Sequence, residues 1–403
     1  MISYALFYGF LAFISVFDLV KSKIKYAEKI EHFLFFVLWA ILVLFIGFRY
    51  KMANDWFMYE TLIRRIEPLI QVIMGFDESF RKTDNIEVGF KLLISTFNQF
   101  FDSSTTSLQA LSTCISIFNY SVLIYFTKNN RNIPYKFVFL SLFIALSMFR
   151  DFDILRQSLA FYIFIVSLRY FNKSFLKYTL INFLGSFIHI SSIIFIPLYF
   201  IFKIKFPRPF ILSLLILYVS SVITHFSFLS TSIGYLSSYF PDLVPIQKII
   251  LFIAENDPAR YGLSLVGLIY SCLLIILLIN YEKIDFSNHE IRLLINVFLI
   301  FFIINTIFAD VKEVADRLSY YFYFGVAFIF VYTITLIKFF PKPIIALYLA
   351  LLIAFPTIRF NRVISDNNLT KIVLVPYRNY LFISPKDESL IYNNWHKKNG
   401  PGL

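Results

Sequence analysis

The chain is poor in charge. Only 15% of its 403 residues are Asp, Glu, Lys or Arg, against roughly 25% in an ordinary soluble domain. With 59% hydrophobic residues beside that deficit, a soluble globular protein is excluded. Cysteine is almost missing. Cys114 and Cys272 both lie inside apolar runs, so they read as packing residues and support neither a disulfide framework nor a thiolate metal site. Internal repeats, low-complexity linkers and a separate soluble domain are absent too. No His-rich cluster occurs, and no metal and no cofactor is expected. Acidic residues are the scarcer charge, 25 against 37 basic, for a net +12. In a soluble protein that excess would suggest nucleic acid. Here basic loops that set topology and meet anionic membrane lipids account for it, and no nucleic-acid partner is expected.

What the chain does have is hydrophobic length. Apolar runs recur from 2–20 to 342–358, most bounded by charge or Pro. The expected fold class is an all-α polytopic integral membrane protein of about 10–12 transmembrane helices. Its 52 Phe and 26 Tyr suit a chain packed in lipid with aromatic interface belts. The first run is long enough to remain as a span instead of being a cleaved signal. Residues 1–358 read as one transmembrane domain, with an outer segment at 49–104 and an outer loop at 229–260. Residues 359–403 form a tail expected on the outer side.

Lysine and arginine counts orient the runs. The segments 21–31, 128–136 and 172–177 are basic and belong inside, which leaves 49–104 outside. The next basic loop, 203–209, also belongs inside, yet a single crossing by 176–203 would carry it out. Gly185, Ser186, His189, Ser191, Ser192 and Pro197 interrupt that stretch. A re-entrant hairpin at 176–203 restores the rule, and irregular backbone at membrane depth is tolerated where protein or a watery cavity covers it. The alternative is one long helix kinked near Pro197. Within the outer segment, Val88, Leu92, Phe97 and Phe101 recur at roughly helical spacing and suggest an amphipathic interfacial helix.

The unusual charges then collect on one side. Arg49 and Asp55 follow the second run. Arg150, Asp151, Asp153 and Arg156 form a charged knot between two runs, His189 lies within the hairpin, and Asp310, Glu313, Asp316 and Arg317 lead into a Tyr-rich span. Arg156 heads a helix, where a cation opposes the positive end of the dipole, so it calls for an anionic partner. Arginines at membrane depth need such partners or water. Several guanidinium forks facing one way suit phosphate oxygens, and the inferred ligand is a lipid phosphate or diphosphate. Snorkelling anchorage is the plainer alternative for Arg49. Asp55, Glu87 and His189 are the candidates for acid–base chemistry, against a His189 simply satisfied by a serine or carbonyl.

These motifs in this order resemble the EpsG family of Wzy-type O-antigen and exopolysaccharide polymerases. The matching residues are Gly47-Phe48-Arg49-Tyr50 with Asp55-Trp56 and Tyr59, then Glu87-Val88-Gly89-Phe90, then Arg156 with Leu159-Ala160. His189 with Ser191 and Pro197, Asp316-Arg317 with Tyr320-Tyr321-Phe322, and Pro376-Tyr377 complete the series. Trp56 and Val88 stand where the family often has tyrosine and proline. The resemblance implies polymerisation of undecaprenyl-diphosphate-linked oligosaccharide repeats at the outer face of the bacterial cytoplasmic membrane, and a Wzz-type chain-length regulator as partner. It implies that Arg49, Arg150, Arg156 and Arg317 bind diphosphate, that Asp55, Glu87 or His189 acts on the acceptor proton, and that Trp56, Tyr59, Tyr320, Tyr321 and Tyr377 stack on sugars. Two rivals remain: another polyprenyl-phosphate-dependent glycosyltransferase, which would add a single sugar instead of building a ladder of repeats, and a lipid-linked oligosaccharide flippase, which often shows two comparable halves.

Overall fold

The computed structural model describes residues 2–52, 55–75, 86–224, 228–239, 265–309, 312–337 and 377–382. The run at 342–358, Asp310, Pro376, most of the loop 229–260 and most of the tail lie outside the described residues. The fold is helical, and the chain contacts divide it into two compact units. The first holds Met1–Arg131, Tyr135–Tyr199 and Thr357–Leu403; the second holds Asn132–Pro134 and Phe200–Pro356.

The helices of the first unit are α1 (Ile2–Val20), α2 (Ala27–Leu42), α3 (Asp55–Arg65), α4 (Leu69–Ile73), α5 (Val88–Asn98), α6 (Ser104–Asn129), α7 (Lys136–Asp153), α8 (Leu155–Leu168) and α9 (Phe175–Ile188). Helix α10 (Phe195–Phe202) leads into the second unit, which holds α11 (Arg208–Thr224), α12 (Phe228–Tyr239), α13 (Leu265–Ile279), α14 (His289–Ile307), α15 (Lys312–Tyr320) and α16 (Tyr323–Ile337).

Among the described residues, Ser3–Lys23, Ala27–Gly47, Ser104–Asn129 and His289–Ile307 are each long and apolar enough to cross a bilayer. A fifth span arises if Val314–Tyr320 and Tyr323–Ile337, bent by 65°, count together. The protein is thus an all-α multi-pass membrane protein. Other expected runs appear as shorter helices, for a physical reason. Helices α8 and α9 have 14 residues each, about 21 Å at 1.5 Å per residue, short of the ~30 Å hydrocarbon core. Helix α7 has the length but carries Lys136, Arg150, Asp151 and Asp153.

Polar contacts set the helix directions. Ser15 and Ser141 hydroxyls meet at 2.9 Å, and the Tyr4 and Phe149 rings lie 5.9 Å apart, so α1 and α7 run antiparallel. At one end the Asp18 carboxylate accepts from Phe137 and Val138 N–H at 2.6 and 3.1 Å, satisfying first-turn donors of α7. Lys21 pairs with Asp18 there, and Lys136 Nζ donates to the Lys128 carbonyl at 2.6 Å. The lysines of the two expected inner loops therefore gather at one end of the unit. Arg49 and Phe152 lie at the other.

The stretch 176–203 folds back on itself. Tyr178 Oη donates to the Phe195 carbonyl at 2.8 Å, and the Tyr199 ring sits 5.0 Å from Tyr178 and 4.7 Å from Phe175. A Cβ on Gly185 would lie 3.2 Å from Ser192 Oγ, so the two arms touch along their length. The helix breaks at His189, whose backbone is extended. Pro197 sits in the first turn of α10, where its missing N–H costs nothing. The chain is a hairpin here, in place of one kinked span.

In the second unit α14 and α16 approach closely at Gly325, where a Cβ would meet Val297 Cγ1 at 2.5 Å and Phe298 N at 2.7 Å. Asn288 caps α14 through the N–H groups of Glu290 and Ile291. Asn296 donates to the carbonyls of Ile201, Phe202 and Ile204 at 3.1, 3.1 and 2.8 Å, tying the end of α10 to α14.

Candidate functional site

Three helix ends converge in the first unit. Asn182 Nδ2 donates to Ser167 Oγ at 2.9 Å, so α8 and α9 are antiparallel, and the start of one meets the end of the other. Arg156 and His189 thereby come together. The third element is the start of α5. A Cβ on Gly89 would stand 2.6 Å from the Phe187 carbonyl oxygen, so only glycine lets α5 press its first turn against the end of α9. This gives the Glu87-Val88-Gly89-Phe90 motif its physical sense: the glycine sets the distance and the glutamate spans it.

Glu87 is the hub. Its carboxylate accepts from Arg156 at 2.6 Å, His189 Nδ1 at 2.9 Å and the Ile190 N–H at 3.0 Å. Helix α5 begins there too, and the positive end of its dipole favours the negative charge. Burial pushes the carboxyl pKa up. The His189 and Ile190 hydrogen bonds and the Arg156 charge outweigh that, and the group sits at about 2. Glu87 is therefore ionised at neutral pH. In a neutral His189 the Nδ1 proton goes to Glu87, which leaves Nε2 as the ring's lone pair. Arg156 accordingly has an anionic partner from within the protein. The three side chains keep 17%, 15% and 23% exposure for Arg156, Glu87 and His189. They are held yet reachable.

Tyr59 completes this cluster from α3. Tyr59 lies near Arg156, whose charge acts on its phenol. Its ring packs 5.7 Å from Phe90 and is buried. Burial first, and the nearby Asp55 charge, hold its pKa up to about 12, so it is a neutral phenol.

Arg49 belongs to a second, closed cluster. It is 0% exposed. Its guanidinium donates to the Ile46 carbonyl, Ser112 Oγ and the Phe152 carbonyl at 2.7, 2.8 and 3.0 Å. The Phe152 and Trp56 rings flank it at 5.4 and 6.0 Å. Asp151, its electrostatic neighbour, accepts from Tyr120, Ser147 and Ser158 hydroxyls at 3.0, 3.2 and 2.7 Å. A single π turn at Val43–Gly47 delivers the arginine. Gly47 lies against α6, where a Cβ would meet Ser116 Cβ at 3.1 Å.

The segment 377–382 straps the same place. Tyr50 N–H donates to the Arg378 carbonyl at 3.1 Å, and Tyr380 N–H to the Phe48 carbonyl at 2.7 Å, an antiparallel bridge between Arg49 and Asn379. Tyr377 stacks on Phe45 at 4.1 Å and donates to its carbonyl at 2.6 Å.

The other expected residues fall as follows. Asp55 opens α3 half-buried, and Arg150 lies half-buried in the last turn of α7. Trp56 is buried at 2% exposure, while Tyr320 and Tyr321 are at 0%, so none of the three presents a ring face. Arg317 is exposed on α15 in the second unit. A helix stands where the amphipathic one was expected, as α5, with Phe90 and Ile94 buried while Val88 and Leu92 are exposed. Among the described residues no group of three His, Cys, Asp or Glu could hold a metal ion.

Fold and cluster together define a class: a multi-pass helical membrane protein with a partly open Arg–Glu–His site at the meeting of short helices. A family model described as the EpsG family matches residues 32–379. The chain belongs to the EpsG family, a Wzy-like polymerase family. Neither a curated protein nor a solved structure matches it.

Proposed function

We propose that the protein polymerises lipid-linked oligosaccharide repeats, carried on undecaprenyl diphosphate, at the outer face of the cytoplasmic membrane, and that Arg156, Glu87 and His189 form its reaction site. One observation carries the reading: in a polymerase-family chain, a single ionised carboxylate holds both an arginine and a histidine at 2.6 and 2.9 Å while all three stay reachable.

The chemistry follows from that geometry. An acceptor hydroxyl attacks the anomeric carbon of the growing chain, and the bond from that carbon to the diphosphate oxygen breaks. His189 Nε2 takes the hydroxyl proton as general base. Glu87 orients the ring and stabilises the imidazolium, the role a buried carboxylate plays beside a catalytic histidine. Arg156 faces the leaving diphosphate as its charge grows. With histidine neutral the trio is uncharged overall, and it becomes cationic on taking the proton. Positive charge thus appears beside the leaving group as that group becomes more negative. The sugar–diphosphate bond supplies the driving force, and no step calls for metal or cofactor.

Within this reading Arg49 is a structural anchor instead of a diphosphate ligand, because it is fully buried and its two terminal nitrogens donate to the protein. Trp56 and Tyr377 likewise serve packing. Arg150 stays as a candidate contact to the diphosphate, Arg317 as a candidate contact to a lipid phosphate in the second unit, and Asp55 as a candidate contact to the acceptor sugar. A Wzz-type regulator is the expected partner for chain length.

The test is a gel of lipid-linked glycans from cells lacking the protein. Single repeats should accumulate and the ladder of longer products should vanish, returning on re-expression. A ladder that survives deletion ends the polymerase reading. Repeats short by one sugar would point to a single-addition glycosyltransferase instead.

A further inference from the structure

Helices α7 and α8 meet at a corner one residue wide. Helix α7 ends at Asp153 and α8 begins at Leu155, so Ile154 closes the one and opens the other. The Ile154 N–H bonds back to the Arg150 carbonyl at 2.9 Å, and the Ile154 carbonyl accepts from Ser158 N–H at 2.8 Å. Isoleucine has no side-chain acceptor with which to cap α8, where Ser, Thr, Asp or Asn would ordinarily fix the first turn. The direction in which that turn presents Arg156 is set from elsewhere.

A buried carboxylate spans the corner. Asp151, in the last turn of α7, receives the Ser158 hydroxyl of α8 on one oxygen at 2.7 Å. Its other oxygen takes the Tyr120 and Ser147 hydroxyls at 3.0 and 3.2 Å, which hold the acid to α6 and to the body of α7. Asp151 and Ser158 are both buried, so water competes little for the bond. Asn119 Nδ2 meets the same Ser158 hydroxyl from α6 at 3.0 Å. Residues two apart on a helix point to nearly opposite faces. With Ser158 drawn inward onto Asp151, Arg156 is turned away from the clamp, and there Glu87 meets it at 2.6 Å.

We propose that Asp151 is the positioning residue of Arg156: through the Ser158 hydroxyl it fixes the rotation of the first turn of α8, and with it the aim of the guanidinium at Glu87 and the site. The effect on rate rests on the polymerase reading; the Asp151–Ser158 clamp does not. Within the charged knot of 150–156, Asp151 is the inward fastener and Arg156 the outward group.

Ser158→Ala tests it, because alanine suits a helix and removes the clamp while Arg156, Glu87 and His189 all remain. Asn119→Leu is the matched control: it takes away the other bond to the same hydroxyl and keeps a side chain of similar size. Both variants lose a buried hydrogen bond and should melt lower, so stability does not tell aim from packing. The rate does. In membrane vesicles fed with lipid-linked glycans extracted from cells lacking the protein, Ser158→Ala should polymerise about tenfold more slowly or worse, the scale of one hydrogen bond to a charged group. The loss should fall on kcat and kcat/KM alike, with KM unchanged, as for a contact that matters in the transition state. Asn119→Leu should keep the wild-type kcat. Hydrogen exchange by mass spectrometry should rise over 154–160 in Ser158→Ala, beyond its level in Asn119→Leu. An equal loss of kcat in the two variants, or a wild-type kcat in Ser158→Ala, overturns the proposal. So does unchanged exchange over 154–160, and so does failure of Ser158→Ala to fold, since the bond would then hold the helix pair together instead of aiming the arginine. If wild-type vesicles make no polymer while exchange rises as expected, the polymerase reading falls and the Asp151–Ser158 clamp stands.

Discussion

Replacing Glu87 with glutamine should separate the site's electrostatics from its packing. Glutamine has the same shape but no charge, so it faces Arg156, His189 Nδ1 and Ile190 N–H with one neutral carbonyl. In the wild type the carboxyl is lowered from 4.5 to about 2. That difference corresponds to roughly 3 kcal/mol, reduced by solvent contact at this partly open site to about 1–2 kcal/mol. The sign follows from linkage. A carboxyl whose folded pKa is depressed adds stability that is full above pH 4.5 and is lost as pH falls toward about 2. Glu87→Gln should therefore be less stable than wild type by about 1–2 kcal/mol at pH 7, lowering the melting temperature by several degrees. The gap should narrow as pH drops through 4 toward 3. Activity should fall far more, by about a hundredfold, since Arg156 loses its ion pair and His189 its orientation. Thermal unfolding in lipid nanodiscs across pH, beside the vesicle polymerisation rate, reads both. A variant equal to wild type in stability at pH 7, with the same slope into acid, would refute this view of Glu87.

Other substitutions probe the neighbouring contacts. Gly89→Ala drives a methyl into the Phe187 carbonyl; it should cost about 1–3 kcal/mol by overpacking and displace Glu87, so melting temperature and polymer yield fall together. Arg49→Ala should leave the Ser112 hydroxyl and two buried carbonyls unsatisfied, destabilising by about 3–5 kcal/mol, which size-exclusion after a heat step would show. A stable Arg49→Ala protein lacking only activity would return Arg49 to the substrate. Tyr377→Phe removes the hydroxyl bound to Phe45 and keeps the stack; a loss of about 1 kcal/mol with little change in rate is expected, and a large specific loss of rate would argue for sugar contact.

Much of the fold was legible because membrane energetics are coarse. Apolar run length placed the helices, and the conflict over 203–209 pointed to the hairpin that Tyr178, Tyr199 and Ser192 close. The site was legible in part. Arg156 stood out as a cation at the wrong end of a helix, a local signal. That its counter-charge is Glu87, and that Glu87 also holds His189 from 102 positions away, is a fact of packing. Gly89 was the available clue, since a glycine in the first turn of a helix marks a close approach. Arg49 misled for the opposite reason: its sequence neighbours Asp55 and Trp56 suggested an open mouth, whereas its partners Ser112 and Phe152 lie 63 and 103 positions away. Tyr59 and Tyr377 read as sugar platforms because sequence cannot tell an exposed ring from one packed on Phe90 or Phe45.

The most direct measurement is complementation of the deletion strain with Arg156→Ala, His189→Ala and wild type at matched membrane levels, read as the glycan ladder. Wild type should restore the full ladder, and each variant should leave single repeats on the lipid carrier. A full ladder from both variants would contradict the assignment of the Arg156–Glu87–His189 cluster as the place where the glycosidic bond is made.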